Sequence, residues 1–582
     1  MTDQTNDYFT GQKTLLGHPV GLFVLFFTEM WERFSYYGMR ILLVIFLIES
    51  TDVANPGWGW ERSEALSLLG TYALMVYLTP IAGGYIADRI IGYRYAVMIG
   101  AFLMTLGHAS MAVETELFLY IGIGLLILGN GFFKPNMTSM ISKMYEYHPE
   151  KKDGAYTIFY MGVNAGAFLG MMLCGYLGEQ VAWSLGFGLA GIFMFLGMLQ
   201  FWFAGPIFGD IGKKPEYIEE ADIEVPEGDR LNPFTMLDKV LIALFALLSI
   251  IWIINDPLSE IGKMPILAGG AKGTMANSVI LTALVIFLFV LISRLNRYTP
   301  LVRDKMIAVA VFAFFTVFFW ASFEQAAGSM AIFAKDYTAR ALIGDTASIF
   351  KVVDTIITVI PLGIITWVLW QLFSKTFSTI SLSNVILGFS FVVVWGIVLF
   401  KLNTEFSKPG TEVPASWFGI LNSLFIIMFA PLFSRWWESK YNPTAAVKYG
   451  LGLILLGIGF GFLVIGSMGI AQGAKTAQVS MVWLIMAYLF HTLGELCLSP
   501  VGLSYLSKLV PGRMIAFMFG IWYLAIAIGN KLAHTMGGMI DTITAEYSLS
   551  AFFGIFTFIP IGAGILVMLL NPVLRRLMHG VR

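Results

Sequence analysis

The chain has 582 residues, of which 57% are hydrophobic and only 13% charged, with a mean hydropathy of +0.77. Soluble domains carry about 25% charged residues, so a water-soluble chain is excluded and a polytopic α-helical membrane protein is expected. The net charge of -1 offers no basic surface for nucleic acid, and Cys174 and Cys497 fall inside apolar stretches, where they read as small packing residues rather than a disulfide framework.

Residues 1–18 are polar and lead into no basic n-region with a short apolar run, so no cleaved signal peptide is expected. A spanning helix takes about 20 mostly apolar residues. In the first half such stretches lie near 20–49, 64–87, 95–113, 117–142, 155–178 and 185–207. The polar segment Gly209 to Thr235, rich in Glu and Asp and holding Lys213, Lys214 and Arg230, reads as a cytoplasmic linker. Spans follow at 236–255, 277–296 and 302–334, then 352–374 and 381–402. The last are near 414–435, 448–469, 479–507, 514–540 and 550–572, which makes sixteen candidates. The pair at 352–402 is the weakest, because Asp354 and Pro361 interrupt its first member. With both termini in the cytoplasm, Lys and Arg gather in the cytoplasmic loops of the N-terminal half. That bias blurs around Lys335, Arg340 and Lys351.

An ionisable side chain at membrane depth costs at least about 2.5 kcal/mol and reads as functional by default. The first span contains Glu29, Glu32 and Arg33, which spacings of three and four place on one helix face, with Tyr36 and Tyr37 just beyond. Lys134 stands in the fourth span with no acid in that span to neutralise it, so its partner is expected to be Glu29 or Glu32. Glu324 and Glu495 lie in later spans with no base within one helical turn in sequence. A desolvated carboxyl of that kind tends to take up a proton. The first half thus contributes cations (Arg33, Lys134) and the second half acids (Glu324, Glu495). If they share a cavity, the site suits a ligand with a carboxylate at one end and an ammonium at the other, such as a free peptide or amino acid. Gly162, Gly166 and Gly170, four apart, read as a helix-packing face, and the lone His108 as a satisfied or interfacial residue.

Four segments resemble the proton-dependent oligopeptide transporter (POT/PTR) family of the major facilitator superfamily. Glu29-Met-Trp-Glu32-Arg33-Phe-Ser-Tyr-Tyr-Gly is similar to its first-helix ExxER signature. Gly83-Gly84-Tyr-Ile-Ala-Asp88-Arg89 is similar to the superfamily's loop between helices two and three. Phe159-Tyr160-Met161-Gly162-Val163-Asn164-Ala165-Gly166 and Thr492-Leu-Gly-Glu495-Leu-Cys-Leu-Ser499-Pro500-Val-Gly502-Leu-Ser504 are similar to the fifth- and tenth-helix signatures. The resemblance implies a major facilitator fold of two six-helix bundles plus extra helices, about 14–16 spans in all. Residues 1–208 would form the N-terminal bundle, 209–300 a linker with two extra helices, and 301–582 the C-terminal bundle, with an inserted apolar pair near 345–405 for which the family offers no counterpart.

By the same resemblance the chain is a proton-coupled symporter of di- and tripeptides in the cytoplasmic (inner) membrane. Arg33 and Lys134 would meet the peptide carboxylate and Glu495 its ammonium. Asn164 and Asn422 would bond the peptide backbone, while Tyr36, Tyr37, Tyr77 and Trp522 line the pocket. Glu29, Glu32 and Glu324, with Arg33 and Lys134, would handle the proton. Some relatives carry a proton-handling histidine in helix two where this chain has Gly70, so coupling is expected to rest on carboxylates. Rival readings are a carrier of nitrate, an organic anion or an amino acid on the same fold, an enzyme, or a channel. No His/Asp metal set, nucleophile-with-base pair or phosphate loop lies at membrane depth, so no enzyme, metal or cofactor beyond the proton is expected. The partners are the peptide and the lipid bilayer, and the working unit is expected to be a monomer.

Overall fold

The computed structural model describes residues 8–9, 12–214, 232–271, 273–509 and 515–580, and of 499–508, 515–517 and 519 only the backbone. Residues 215–231, most of the predicted linker, lie outside the described residues, as do the side chains of Ser499, Pro500 and Ser504 in the tenth-helix signature. Each of the sixteen predicted stretches contains one long helix, and in the stretch 302–334 that helix ends at Phe323. In the first half these are α1 (Val20–Ile48), α2 (Arg62–Ile86), α3 (Tyr93–Met111), α4 (Glu116–Met144), α5 (Pro149–Gln180) and α6 (Trp183–Phe203). Then come α7 (Met236–Glu260), α8 (Thr274–Leu295), α9 (Pro300–Phe323) and the single turn α10 (Ser329–Ile332). They are followed by α11 (Gly344–Thr376), α12 (Ser381–Ser407), α13 (Ile420–Glu438), α14 (Ala445–Ser467), α15 (Met481–Leu509) and α16 (Ile515–Gly537). Short α17 (Ile540–Glu546) and α19 (Asn571–Leu577) flank α18 (Leu549–Leu569). Thirteen of the helices among the described residues are long and apolar enough to cross a membrane.

The helices pack as two compact units. One comprises Met1–Trp58, Leu78–Tyr217 and Phe333–Met428; the other comprises Gly59–Tyr77, Ile218–Ile332 and Phe429–Arg582. Within the first unit every residue of α1 from Val20 to Leu47 except Tyr37 is buried, so this helix has no face left for lipid. Lipid tails are as apolar as Leu, so helices in a membrane associate through close backbone approach and polar contacts rather than through the hydrophobic effect. The predicted glycine face supplies that approach. A Cβ on Gly166 would stand 2.1 Å from the Met30 carbonyl oxygen, one on Gly170 2.2 Å from that of Phe34, and one on Gly162 2.9 Å from that of Phe26. Cys174 is buried and free, and packs against Gly38 of α1.

The inserted pair is two unbroken helices. Asp354 does not interrupt α11, because Lys401 of α12 neutralises it at 2.7 Å and the Trp417 indole donates to its other oxygen at 2.9 Å. Pro361 is also accommodated inside the helix. The pair stands on an antiparallel clip, β3 (Ala341–Leu342) against β4 (Thr411–Glu412), the second such clip after β1 (Thr14–Leu15) and β2 (His18–Pro19). By packing, α11 and α12 belong with the N-terminal helices rather than with those that follow them in sequence. Ser383 donates to the Gln200 carbonyl of α6 at 2.8 Å, and the Phe391 ring lies 5.6 Å from Trp31 and 5.8 Å from Phe27 of α1. The basic residues that blur the loop-charge bias all find partners here. Lys335 pairs with Glu49, Arg340 with Glu412, and Lys351 donates to the Lys408 carbonyl.

Two substitutions test this packing. Gly166→Ala forces α5 off α1 and is expected to cost about 1–3 kcal/mol, read as a lower melting temperature in detergent. Phe391→Ala opens a void beside Trp31 and lowers the melting temperature, whereas Phe389→Ala, on the exposed face of the same helix, leaves it unchanged.

Candidate functional site

In the first unit the three charges of α1 form one cluster. The Arg33 Nε lies 2.8 Å from a Glu29 oxygen and 2.5 Å from a Glu32 oxygen, and all three residues are buried. Two acids against one guanidinium leave the cluster short of positive charge. Lys134 of α4 is near enough to act on the charge of Glu32. Asn130, one turn before Lys134, donates to Glu32 at 3.3 Å. The Tyr36 ring lies 5.4 Å from the Arg33 guanidinium carbon and edge-on to Tyr37 at 5.0 Å. Arg40, buried one turn further on and 5.9 Å from the centre of that ring, is a cation the sequence reading passed over.

The amides expected to hold a peptide backbone lie in the same unit. Asn164 is buried on the glycine-lined helix α5, where its Nδ2 donates to the Tyr160 carbonyl at 2.9 Å. Asn422 is half-buried in the first turn of α13. The 3-10 turn Ala415–Gly419 that leads into that helix is fixed by Glu179 of α5, whose two oxygens accept the Ala415 and Ser416 amides at 2.7 and 2.8 Å. An acid at a helix N-terminus satisfies donors that the helix itself leaves over.

In the second unit Glu324 is buried where α9 gives way to a 3-10 turn, Glu324–Ala327, and the short α10. The apolar stretch 302–334 is therefore not one continuous helix. The break is held by Gln325, which donates to the Ala533 carbonyl at 2.6 Å and accepts from Ser329 at 2.6 Å. Broken helices at membrane depth are tolerated where other groups satisfy the freed backbone. Glu495 is half-buried on α15, and Trp522 is buried on α16 with Tyr449 edge-on at 6.4 Å. Tyr77 is half-buried on α2.

Two histidines depart from expectation. His108 is neither interfacial nor satisfied: it is fully buried in α3, and neither ring nitrogen has a hydrogen-bond partner among the described residues. Gly70 does have an imidazole beside it, but α16 supplies it. A Cβ at Gly70 would stand 2.9 Å from the His534 Cβ, and one at Gly328 3.2 Å from its Nδ1. The sequence reading also missed a buried ion pair in this unit. Lys531 of α16 contacts Asp256 of α7, and Ser67 of α2 donates to the same Asp256 oxygen at 2.6 Å. The available signal was Lys531, which like Lys134 is an ionisable residue inside an apolar span.

The POT family's sequence profile matches residues 94–224 and 396–555. The peptide transporter YePEPT of Yersinia enterocolitica subsp. palearctica is 31% identical, over 99% of this chain and 98% of its own. A di-/tripeptide transporter of Lactococcus lactis subsp. cremoris is 28% identical, over 98% of this chain and 99% of its own. A crystal structure of a mutant peptide transporter POT in complex with alafosfalin superposes with a TM-score of 0.71 at 28% identity, covering 100% of both chains. The fold is therefore that of the major facilitator superfamily, and the chain belongs to the POT family of proton-dependent oligopeptide transporters.

Proposed function

We propose that this chain is a proton-coupled symporter that imports di- and tripeptides across the cytoplasmic membrane by alternating access, as a monomer with both termini in the cytoplasm. The single observation that carries the reading is the sharing of one buried guanidinium nitrogen, Arg33 Nε, by Glu29 and Glu32. Paired carboxylates in a low-dielectric interior hold a proton readily, because two like charges there repel strongly. The names of the relatives, a peptide transporter and a di-/tripeptide transporter, supply the substrate class.

In this reading residues 1–208 and 301–582 are the working halves. The peptide carboxylate meets Arg33 and Lys134, and its ammonium meets Glu495. Asn164 and Asn422 bond the peptide backbone, and Tyr36, Tyr37, Tyr77 and Trp522 line the pocket. These contacts use groups that every dipeptide has, so the substrate range is broad. Carboxylate binding draws Lys134 away from Glu32, and protonation of Glu29, Glu32 or Glu324 weakens the pairs that hold one gate closed. Each event changes the relative energy of the inward- and outward-open states, which is what a ligand must do to drive the transition. One proton carried with a zwitterion moves one charge, worth about 2.3 kcal/mol per 100 mV. A pH difference of one unit adds about 1.4 kcal/mol. Together they support accumulation of roughly a few hundred-fold.

Dialanine uptake into liposomes tests the reading. Wild type is expected to accumulate dialanine under an inward proton gradient, with competition from other dipeptides and none from nitrate or simple organic anions. Glu32→Gln is expected to keep counterflow and lose gradient-driven accumulation by at least about tenfold, while Lys134→Ala lowers both and Glu495→Gln raises KM by about tenfold. Undiminished gradient-driven uptake in all three variants would end the assignment.

A further inference from the structure

The extra helices α7 and α8 bury little of themselves: Leu244, Leu247, Ile250, Ile254 and Leu258 of α7 are all exposed. At one end the pair is closed on itself by Asp238, which accepts from Arg297 at 2.7 Å and pairs with Arg294 at 3.3 Å. At the other end α7 buries Ile253 and Asn255, and between α7's apolar faces stands Asp256. Asp256 accepts from Lys531 of α16 and from Ser67 of α2, and Lys531 also donates to Thr71, one turn beyond Ser67, at 3.1 Å. The Lys531 side chain is 4% exposed and that of Asp256 17%. Three elements of the second unit therefore meet on one ion pair. The same first turns of α2 are held twice more, by Arg62 to Asp541 at 2.5 Å and by Glu64 to Lys263 at 2.9 Å. Glu260 acts on the charge of Lys531, and His534 stands beside Lys531 at Gly70.

A buried ion pair is weak evidence for stability, since an apolar pair of similar volume commonly does as well or better. In a membrane helix, where lipid already satisfies apolar surface, an acid is still harder to explain as an anchor. Resting on the reading of the chain as an alternating-access carrier, we propose that Asp256 and Lys531 are positioning residues of the transport cycle. Their ion pair clamps the first turns of α2 to α16 and α7 in one access state, and it opens when access changes. The extra helix α7 is then a working part of the carrier.

The test compares the full-length wild type in liposomes with Asp256→Leu/Lys531→Met, which replaces the pair by apolar groups, and with the charge swap Asp256→Lys/Lys531→Asp. The apolar variant is expected to keep its melting temperature while dialanine uptake loses Vmax at least about tenfold and KM changes by less than about twofold. The swap is expected to recover at least about a third of the wild-type rate. A cysteine placed at Ala73 of α2 (Ala73→Cys), a fully buried position, is expected to react faster with a maleimide in the apolar variant. Full Vmax in the apolar variant, or unchanged labelling, would overturn the proposal by reducing the pair to packing. Should the apolar variant fail to fold, the swap decides: restored transport supports the clamp and a folded, inactive swap refutes it. Labelling needs no substrate, so a wild type inert towards dialanine would sink the peptide reading and leave the clamp still to be judged by maleimide.

Discussion

A charge removed from water has to be matched where it sits, and that constraint organises this molecule more than its apolar bulk does. Most side chains here would be equally content facing lipid. The charged ones would not, and they fix which helices must meet. Arg33 reaches both Glu29 and Glu32 from one nitrogen, so α1 carries its own partial neutralisation. It still needs Asn130 and Lys134 of α4 to complete the environment of Glu32. Such a cluster survives only where lipid is shut out. The complete burial of α1 is accordingly a precondition for the charges it holds, achieved by α5 on one side and by α6 with the inserted α12 on others.

How the enclosure is built follows from what a membrane leaves available as a driving force. Glycines of α5 let two backbones touch, so that dispersion contacts accumulate along the whole length of α1. Trp31, between the two acids of the motif, is stacked on Phe193 of α6 at 4.7 Å and met by Phe391 of α12 from another direction. Thr28 adds a hydrogen bond to Gln200, whose carbonyl also accepts from Ser383 of the insertion. The insertion thus continues the wall that keeps the motif dry, and its own buried Asp354–Lys401 pair obeys the rule that governs the motif.

Much of this was legible in the sequence because the bilayer leaves few ways to be a membrane chain. Apolar length gave the helices their places, and the ionisable residues inside apolar runs marked Glu29, Glu32, Arg33 and Lys134. The glycine spacing located the α1–α5 contact for the same reason: only a residue without Cβ fits. What stayed hidden depended on other helices. Asp354 read as an interruption because its neutralising partner, Lys401, is 47 positions away. The break after Phe323 carries no proline, only Gly328 at its far end, and is stabilised by Gln325 reaching a carbonyl of α16. Asp256 fell just past the predicted end of its span, and Lys531 stood in a stretch whose other residues are bland. Of the two, only Lys531 carried the signal that marked Lys134.

The two kinds of buried pair can be separated by what their removal would leave behind. Asp354 and Lys401 join consecutive helices of one hairpin, already closed by the β3–β4 clip, so the pair selects how that hairpin fits together. Asp256 and Lys531 join elements far apart in sequence, and their polar neighbours Ser67 and Thr71 belong to the part of α2 that packs in a different unit from the rest of that helix. Coulombic attraction falls steeply once water enters between the partners. A contact of that kind is either made or broken, with little in between, which is the behaviour a two-state carrier requires of the groups that hold it in one state.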